Sequence, residues 1–144
     1  MLMSTVWMFR FQEQKSVTDQ EKTENITENM RKITTQAKVA FDLDRPFKSG
    51  NTKVTVSYKP NGYWYQTRLW LHDNLIAQKT HFEPTECIIV SVTLAGWPTP
   101  TTRERLQAAG AIVRQEKGKQ IIVNSVNGER EIDPQDWADI RYES

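Results

Sequence analysis

The chain has 144 residues, 38% of them hydrophobic, and a net charge of +1, which fits one domain with a modest core and excludes a uniformly basic polyanion-coating protein. Its single cysteine, Cys87, excludes an internal disulfide framework and suits a reducing cytoplasm. No apolar run approaches the length of a membrane span, so a membrane is not an expected partner.

Residues 1–11 are apolar, but they lack the basic start and small-residue cleavage site of a signal peptide. Residues 12–31 are polar, with Val17, Ile26 and Met30 as their only apolar members, too few to offset the entropy of ordering. Residues 1–29 therefore read in one of two ways. They are an extension from an upstream start codon, with the working protein beginning at Met30, or an arm whose Trp7, Phe9 and Phe11 dock onto a partner or a second copy. A single α+β domain is expected over residues 30–144.

Residues 33–43 fit two periods. Ala37, Val39, Phe41 and Leu43 alternate as in a strand, while Ile33, Ala37, Ala40 and Phe41 fall at helical spacing. A helix is expected, capped by Thr34 or Thr35 and ended by Asp44-Arg45-Pro46. Residues 52–59 alternate cleanly as a half-buried strand, and Pro60-Asn61-Gly62 supplies a hairpin turn. In the return strand, residues 63–71, Tyr63, Tyr65, Thr67, Leu69 and Leu71 share one face and Trp64, Gln66, Arg68 and Trp70 the other. Aromatics on both faces imply a central strand or one covered on both sides. His72-Asp73-Asn74 turns into a third strand, residues 75–82, and Pro84-Thr85 into a fourth, residues 86–94, the most apolar of all.

At Ala95-Gly96-Trp97-Pro98-Thr99-Pro100 the strand must stop, because proline has no N–H for a ladder and fixes its own φ. A short helix is expected over residues 102–109, with Thr101 and Glu104 as a capping box and Gly110 ending it in the left-handed conformation. Residues 112–116 and 120–124 read as a hairpin about Lys117-Gly118, and Asn127-Gly128 turns into a short strand, residues 130–132. Asp133-Pro134 resembles the cap and first position of a single helical turn, with Trp137 stapling the tail to the body. The sum is an α+β fold, a largely antiparallel β-meander with one N-terminal helix and one short helix after the Gly-Trp corner.

From Met30 onward the chain resembles a family of small uncharacterised proteins of tailed phages and prophages. The resemblance rests on Leu69-Trp70-Leu71-His72-Asp73-Asn74-Leu75-Ile76-Ala77, on Gly96-Trp97-Pro98-Thr99-Pro100-Thr101-Thr102-Arg103-Glu104-Arg105-Leu106, and on Asn127-Gly128 with Trp137. Short pieces at Ile33-Thr34, Ala40-Phe41 and residues 47–52 are similar as well. Asp73 stands where the family usually has glycine, which calls for a wider turn or an aspartate in a left-handed position. The resemblance implies a gene product made in the cytoplasm of a bacterial host cell. It supplies no catalytic or binding residues.

Little in the sequence points to chemistry. His72, His81 and Cys87 are the only soft metal ligands, and their spacing matches no paired-ligand pattern. Cys87 opens the most apolar strand and reads as a buried structural thiol rather than a nucleophile. His72 and Asp73, adjacent along the chain, are poorly arranged as an acid–base pair. There is no phosphate loop and no nucleophile elbow, so neither an enzyme nor a cofactor is expected.

The expected activity is binding, to a host or phage protein, by the sheet face or the corner residues Trp97, Thr99 and Thr101. The alternative is nucleic acid, bound by Arg103, Arg105, Arg114, Lys117 and Lys119 beside Trp64 or Trp70. An unrecognised enzyme built on His72 is a third reading. Against each stands a plainer one: Trp97 in the core, the threonines as caps, and the basic residues as an ordinary solvated helix and a salt-bridged sheet edge. Assembly into a symmetric pair stays open.

Overall fold

The computed structural model describes residues 28–59 and 62–144. Trp7, Phe9 and Phe11, and the first two residues of the Pro60-Asn61-Gly62 turn, lie outside the described residues. Ile33–Ser144 is a compact unit of its own.

Helix α1 runs over 28–42. Helical spacing prevails over alternation: Ala37, Ala40 and Phe41 are buried, while Val39 and Leu43, which a strand would have buried with them, are more than half exposed. Because α1 starts upstream of residue 33, neither Thr34 nor Thr35 caps it. Thr34 is instead buried inside the helix.

Six strands form the main sheet: β1 (Phe47–Ser49), β2 (Thr52–Tyr58), β3 (Trp64–Leu71), β4 (Asn74–Phe82), β5 (Cys87–Thr93) and β9 (Trp137–Glu143). Their spatial order is β1-β2-β3-β4-β5-β9, all antiparallel, so the first five form a meander and β9 joins from the far end of the chain. A second sheet is built from β6 (Val113–Glu116), β7 (Lys119–Ser125) and β8 (Gly128–Ile132). Between them lie α2 (Pro100–Leu106) and a one-turn 3-10 helix, Gln107–Ala109, ended by Gly110 at φ 92.

The β3–β4 connection is a two-residue loop, with Leu71 paired to Asn74 and both His72 (φ 50) and Asp73 (φ 62) left-handed. That is the type I′ geometry whose twist matches a hairpin, so Asp73 takes the glycine-like position without widening the turn. Lys117 (φ 50) and Gly118 (φ 78) repeat the device between β6 and β7. At the corner, Trp97 N–H donates to Leu94 O across Ala95 (φ 55) and Gly96 (φ 80). A third left-handed pair therefore ends β5, upstream of both prolines.

Two further expectations are corrected. The cap of α2 is Thr99, whose Oγ1 accepts from Thr102 N–H at 3.1 Å, with Pro100 at the first helical position. Proline's fixed φ is preorganised for that position, which sets the helix start ahead of Thr101 and removes the Thr101–Glu104 capping box. Thr99→Ala should therefore cost about 1 kcal/mol, while Thr101→Ala with Glu104→Ala should leave the cap intact; urea unfolding of both variants checks this. In the tail, Asp133 to Asp136 is a single turn closed by Asp136 N–H on Asp133 O, not a helical turn. Trp137 then starts β9 opposite Thr93 and is 46% exposed, so the tail is joined to the body by strand pairing and not by a buried Trp137.

The core lies on the face of the main sheet that meets α1 and α2. Phe41, Val54, Leu69, Ile76, Val92, Leu94, Leu106 and Ile122 are almost fully buried there. Two buried cations bind the elements together. Arg105 of α2, 3% exposed, donates from Nε to Thr52 Oγ1 at 2.8 Å and from Nη1 to Thr34 Oγ1 at 2.9 Å. Lys79 of β4 donates to Phe41 O at 2.6 Å and Asp42 O at 3.3 Å, the terminal carbonyls of α1, and pairs with Asp44 at 2.9 Å. No helix among the described residues is long and apolar enough to cross a membrane.

Candidate functional site

The corner and the β3–β4 hairpin enclose a cleft of about 530 Å³, of a size that suits ligand binding. Leu71, Ile76 and Leu94, all buried, form its floor. His72 and Asn74 stand on the hairpin side and Thr99, Thr101 and Thr102 on the α2 side. Trp97 lines the cleft with 60% of its surface exposed. Its exposure follows from the backbone: the left-handed pair at Ala95 and Gly96 reverses the chain, and Pro98-Thr99-Pro100 leads directly into α2. The expectation that Trp97 is a core residue is therefore corrected.

The structure thus brings together Trp97, Thr99 and Thr101 of the expected site, and adds Leu71, His72 and Ile76 from a hairpin far off in sequence. Thr99 is engaged as the cap of α2, its Oγ1 2.9 Å from Thr102 Oγ1. His72 Nε2 lies 3.0 Å from the Asn51 side-chain amide nitrogen, and the His72 backbone N–H donates to Asn51 O. The imidazole at the cleft therefore faces a side-chain amide and not a carboxylate that would poise it as a base.

The basic residues of 103–119 do not converge. Arg105 is interior, as a hydrogen-bonded tie between α1, β2 and α2. Burial pulls its guanidinium below its ordinary pKa, with the Glu104 charge opposing. It is withdrawn from the expected nucleic-acid surface because its donors already serve buried hydroxyls. Arg103 donates to Pro98 O, Gln115 Oε1 and Gln120 Oε1. Arg114 pairs with Glu116 and Glu129, and Lys119 lies 3.8 Å from Glu131. Lys117 stands exposed in its turn. The stretch forms a salt-bridged sheet edge in which β8 supplies acids against β6 and β7.

Of the remaining candidates, Cys87 is buried and unpaired by any disulfide. The His81 ring packs edge-on against Tyr65 with centroids 4.7 Å apart. Among the described residues no group of three or more His, Cys, Asp or Glu is arranged to hold a metal.

One polar cluster was not anticipated. Asp44, left-handed at φ 55 after α1, accepts from Thr67 at 2.7 Å, Tyr65 at 3.2 Å and Lys79. Burial alone would raise its carboxyl, but those hydrogen bonds and the Lys79 charge hold it below its ordinary value. Burial and the Asp44 charge push the Tyr65 phenol up to about 12. Both shifts make stability pH-dependent. The Asp44 contribution is complete above its unfolded value of 3.8 and is lost as pH falls through the lower folded value. The Tyr65 contribution is complete below pH 10.0 and is lost as pH rises toward about 12. Urea midpoints against pH should show a shallower acid limb in Asp44→Asn and a shallower alkaline limb in Tyr65→Phe.

A family model described as Kyanoviridae Gp96 protein matches residues 30–143. No curated protein and no solved structure matches the chain.

Proposed function

This chain belongs to the Kyanoviridae Gp96 protein family, and from that premise we propose that it is a non-enzymatic phage accessory protein. It binds a host or phage protein through the Trp97 cleft, in the cytoplasm of the host cell. The supporting observation is Trp97 itself, 60% exposed above a floor of Leu71, Ile76 and Leu94. A large aromatic held over a concave apolar surface is the composition of an interface anchor. Thr101, His72 and Asn74 at the margins offer polar groups to an incoming peptide backbone. The arrangement favours an apolar segment of a protein over a reacting substrate, since His72 lies against an amide.

The test is affinity capture from phage-infected cells with the wild-type chain, Trp97→Ser and Trp137→Ser. A protein retained by the wild type and by Trp137→Ser, and held at least about 30-fold more weakly by Trp97→Ser, is the expected result for an anchor worth about 2 kcal/mol. Equal retention by Trp97→Ser would sink the reading.

A further inference from the structure

The face of the main sheet opposite the helices has a composition of its own. Strand alternation places Lys53, Thr55 and Ser57 of β2, Trp64, Gln66, Arg68 and Trp70 of β3, and Gln78, Thr80 and Phe82 of β4 on this face. The register aligns Lys53 with Trp70, Thr55 with Arg68, Gln66 with Thr80 and Trp64 with Phe82. All of these residues are half-buried or exposed. Strands β1 to β5 contain no Asp or Glu, while β1 to β3 carry Lys48, Lys53 and Arg68, and Lys59 follows β2. Among the described residues, the acid that pairs with this set is Asp73 in the β3–β4 turn, 4.0 Å from Lys53. The contrast with residues 103–119, where glutamates of β8 pair with Arg114 and Lys119, is direct.

We infer that this open face binds single-stranded nucleic acid, with Trp64 and Trp70 as stacking platforms and Lys53, Lys59 and Arg68 as phosphate contacts. Both indoles are positioned before any ligand arrives. Trp70 Nε1–H donates to Thr55 Oγ1 at 2.9 Å. The Lys53 ammonium lies 5.4 Å from the Trp70 ring centroid and the Lys59 ammonium 5.3 Å from that of Trp64. Each ring thus carries a cation over its face, and a base that stacks there moves the flexible lysine aside to its own phosphate. Arg68, between them on β3, is held by Gln78 Oε1 at 3.2 Å and Gln66 Oε1 at 2.6 Å.

The two tryptophans lie six residue steps apart along β3, about 20 Å, which a few nucleotides can span. Stacking on a side chain requires an exposed base face, which a duplex conceals and a single strand offers. A protein partner fits less well, because the centre of a protein interface is depleted of lysine. This surface is distinct from the Trp97 cleft, and neither reading depends on the other.

The test is fluorescence anisotropy of the full chain with labelled oligo(dT) and oligo(rU) of about 15 nucleotides, and with a duplex of the same length, at low and moderate salt. At least one single strand should bind at low salt and weaken steeply as salt rises. Trp64→Ala and Trp70→Ala should each weaken it about tenfold or more, and Lys53→Gln should lower the salt slope by about 0.7. Arg130→Gln, on the other sheet, should change neither. Lys53→Gln leaves the core untouched, so the test survives if a tryptophan variant fails to fold. A preference for one strand identifies the favoured sugar. Three results would overturn the proposal: no single-strand binding at low salt, tighter binding of the duplex, or binding that Lys117→Gln abolishes while Lys53→Gln leaves it unchanged.

Discussion

Arg105→Ala is expected to lower the unfolding free energy by about 3–5 kcal/mol, the range for a truncated buried side chain whose partners lose their hydrogen bonds. The guanidinium donates to Thr34 of α1 and Thr52 of β2, and both hydroxyls are buried. Removing it leaves a cavity and takes from each hydroxyl a donor that water cannot easily replace. Arg105→Lys keeps a cation but loses the planar fork that reaches two acceptors at once, so it should recover only part of the loss. Urea titration gives the answer: the midpoint falls and the slope stays constant. A midpoint within experimental error of the wild type would mean that Arg105 sits at the surface, and would return it to the nucleic-acid reading that the structure denies it.

Lys79→Met should cost about 2–4 kcal/mol, as expected for a buried ion pair that loses one partner. The side chains are similar in length, so packing changes little and the effect isolates the charge and its hydrogen bonds. In the wild type the ammonium serves Phe41 O, Asp42 O and Asp44, and cations are favoured at a helix C-terminus. The side chain of Asp44 is 25% exposed, so solvent tempers the penalty for leaving its carboxylate behind. Asp44→Asn retains a partner for the Thr67 and Tyr65 hydroxyls and should cost less, about 1 kcal/mol. The double variant should cost less than the sum of the two single ones, because the groups touch. Strict additivity would break the assignment of Lys79 as the clasp between β4 and α1.

Much of this architecture was legible in the sequence because the signals for it are local. Val54, Val56 and Tyr58 alternate, left-handed turn positions fall between the strands, and Gly110 sits where a helix must end. β9 was missed although Ala138, Ile140 and Tyr142 also alternate. Asp133-Pro134 carries the signature of a helix start, and that signal drew Trp137 into a helical reading although Asp139, Arg141 and Glu143 complete the strand alternation. The roles of Arg105 and Lys79 were out of reach for a different reason. Their partners are 71 and 38 residues away, and basic residues on amphipathic elements give no local sign of pointing inward. In the candidate cleft, Trp97, Thr99 and Thr101 stand out in the sequence as the strand-to-helix corner. The floor of Leu71 and Ile76 comes from a hairpin that only the folded chain brings to the corner. The aromatic strand posed the opposite problem: its two faces were separated correctly, but only the register shows Lys53 beside Trp70.

The late arrival of β9 matters during synthesis. β5 is among the most apolar strands of the protein, and its outer edge is paired along Ile88 to Thr93 by residues of β9. A ribosome that has released the meander and α2 still has the second sheet to make before that partner exists. Until residues 137–143 emerge, the nascent chain presents an open, aggregation-prone rim. A premature stop in this region would leave the rim bare for good, so loss of the last strand should appear first as insoluble product in cells.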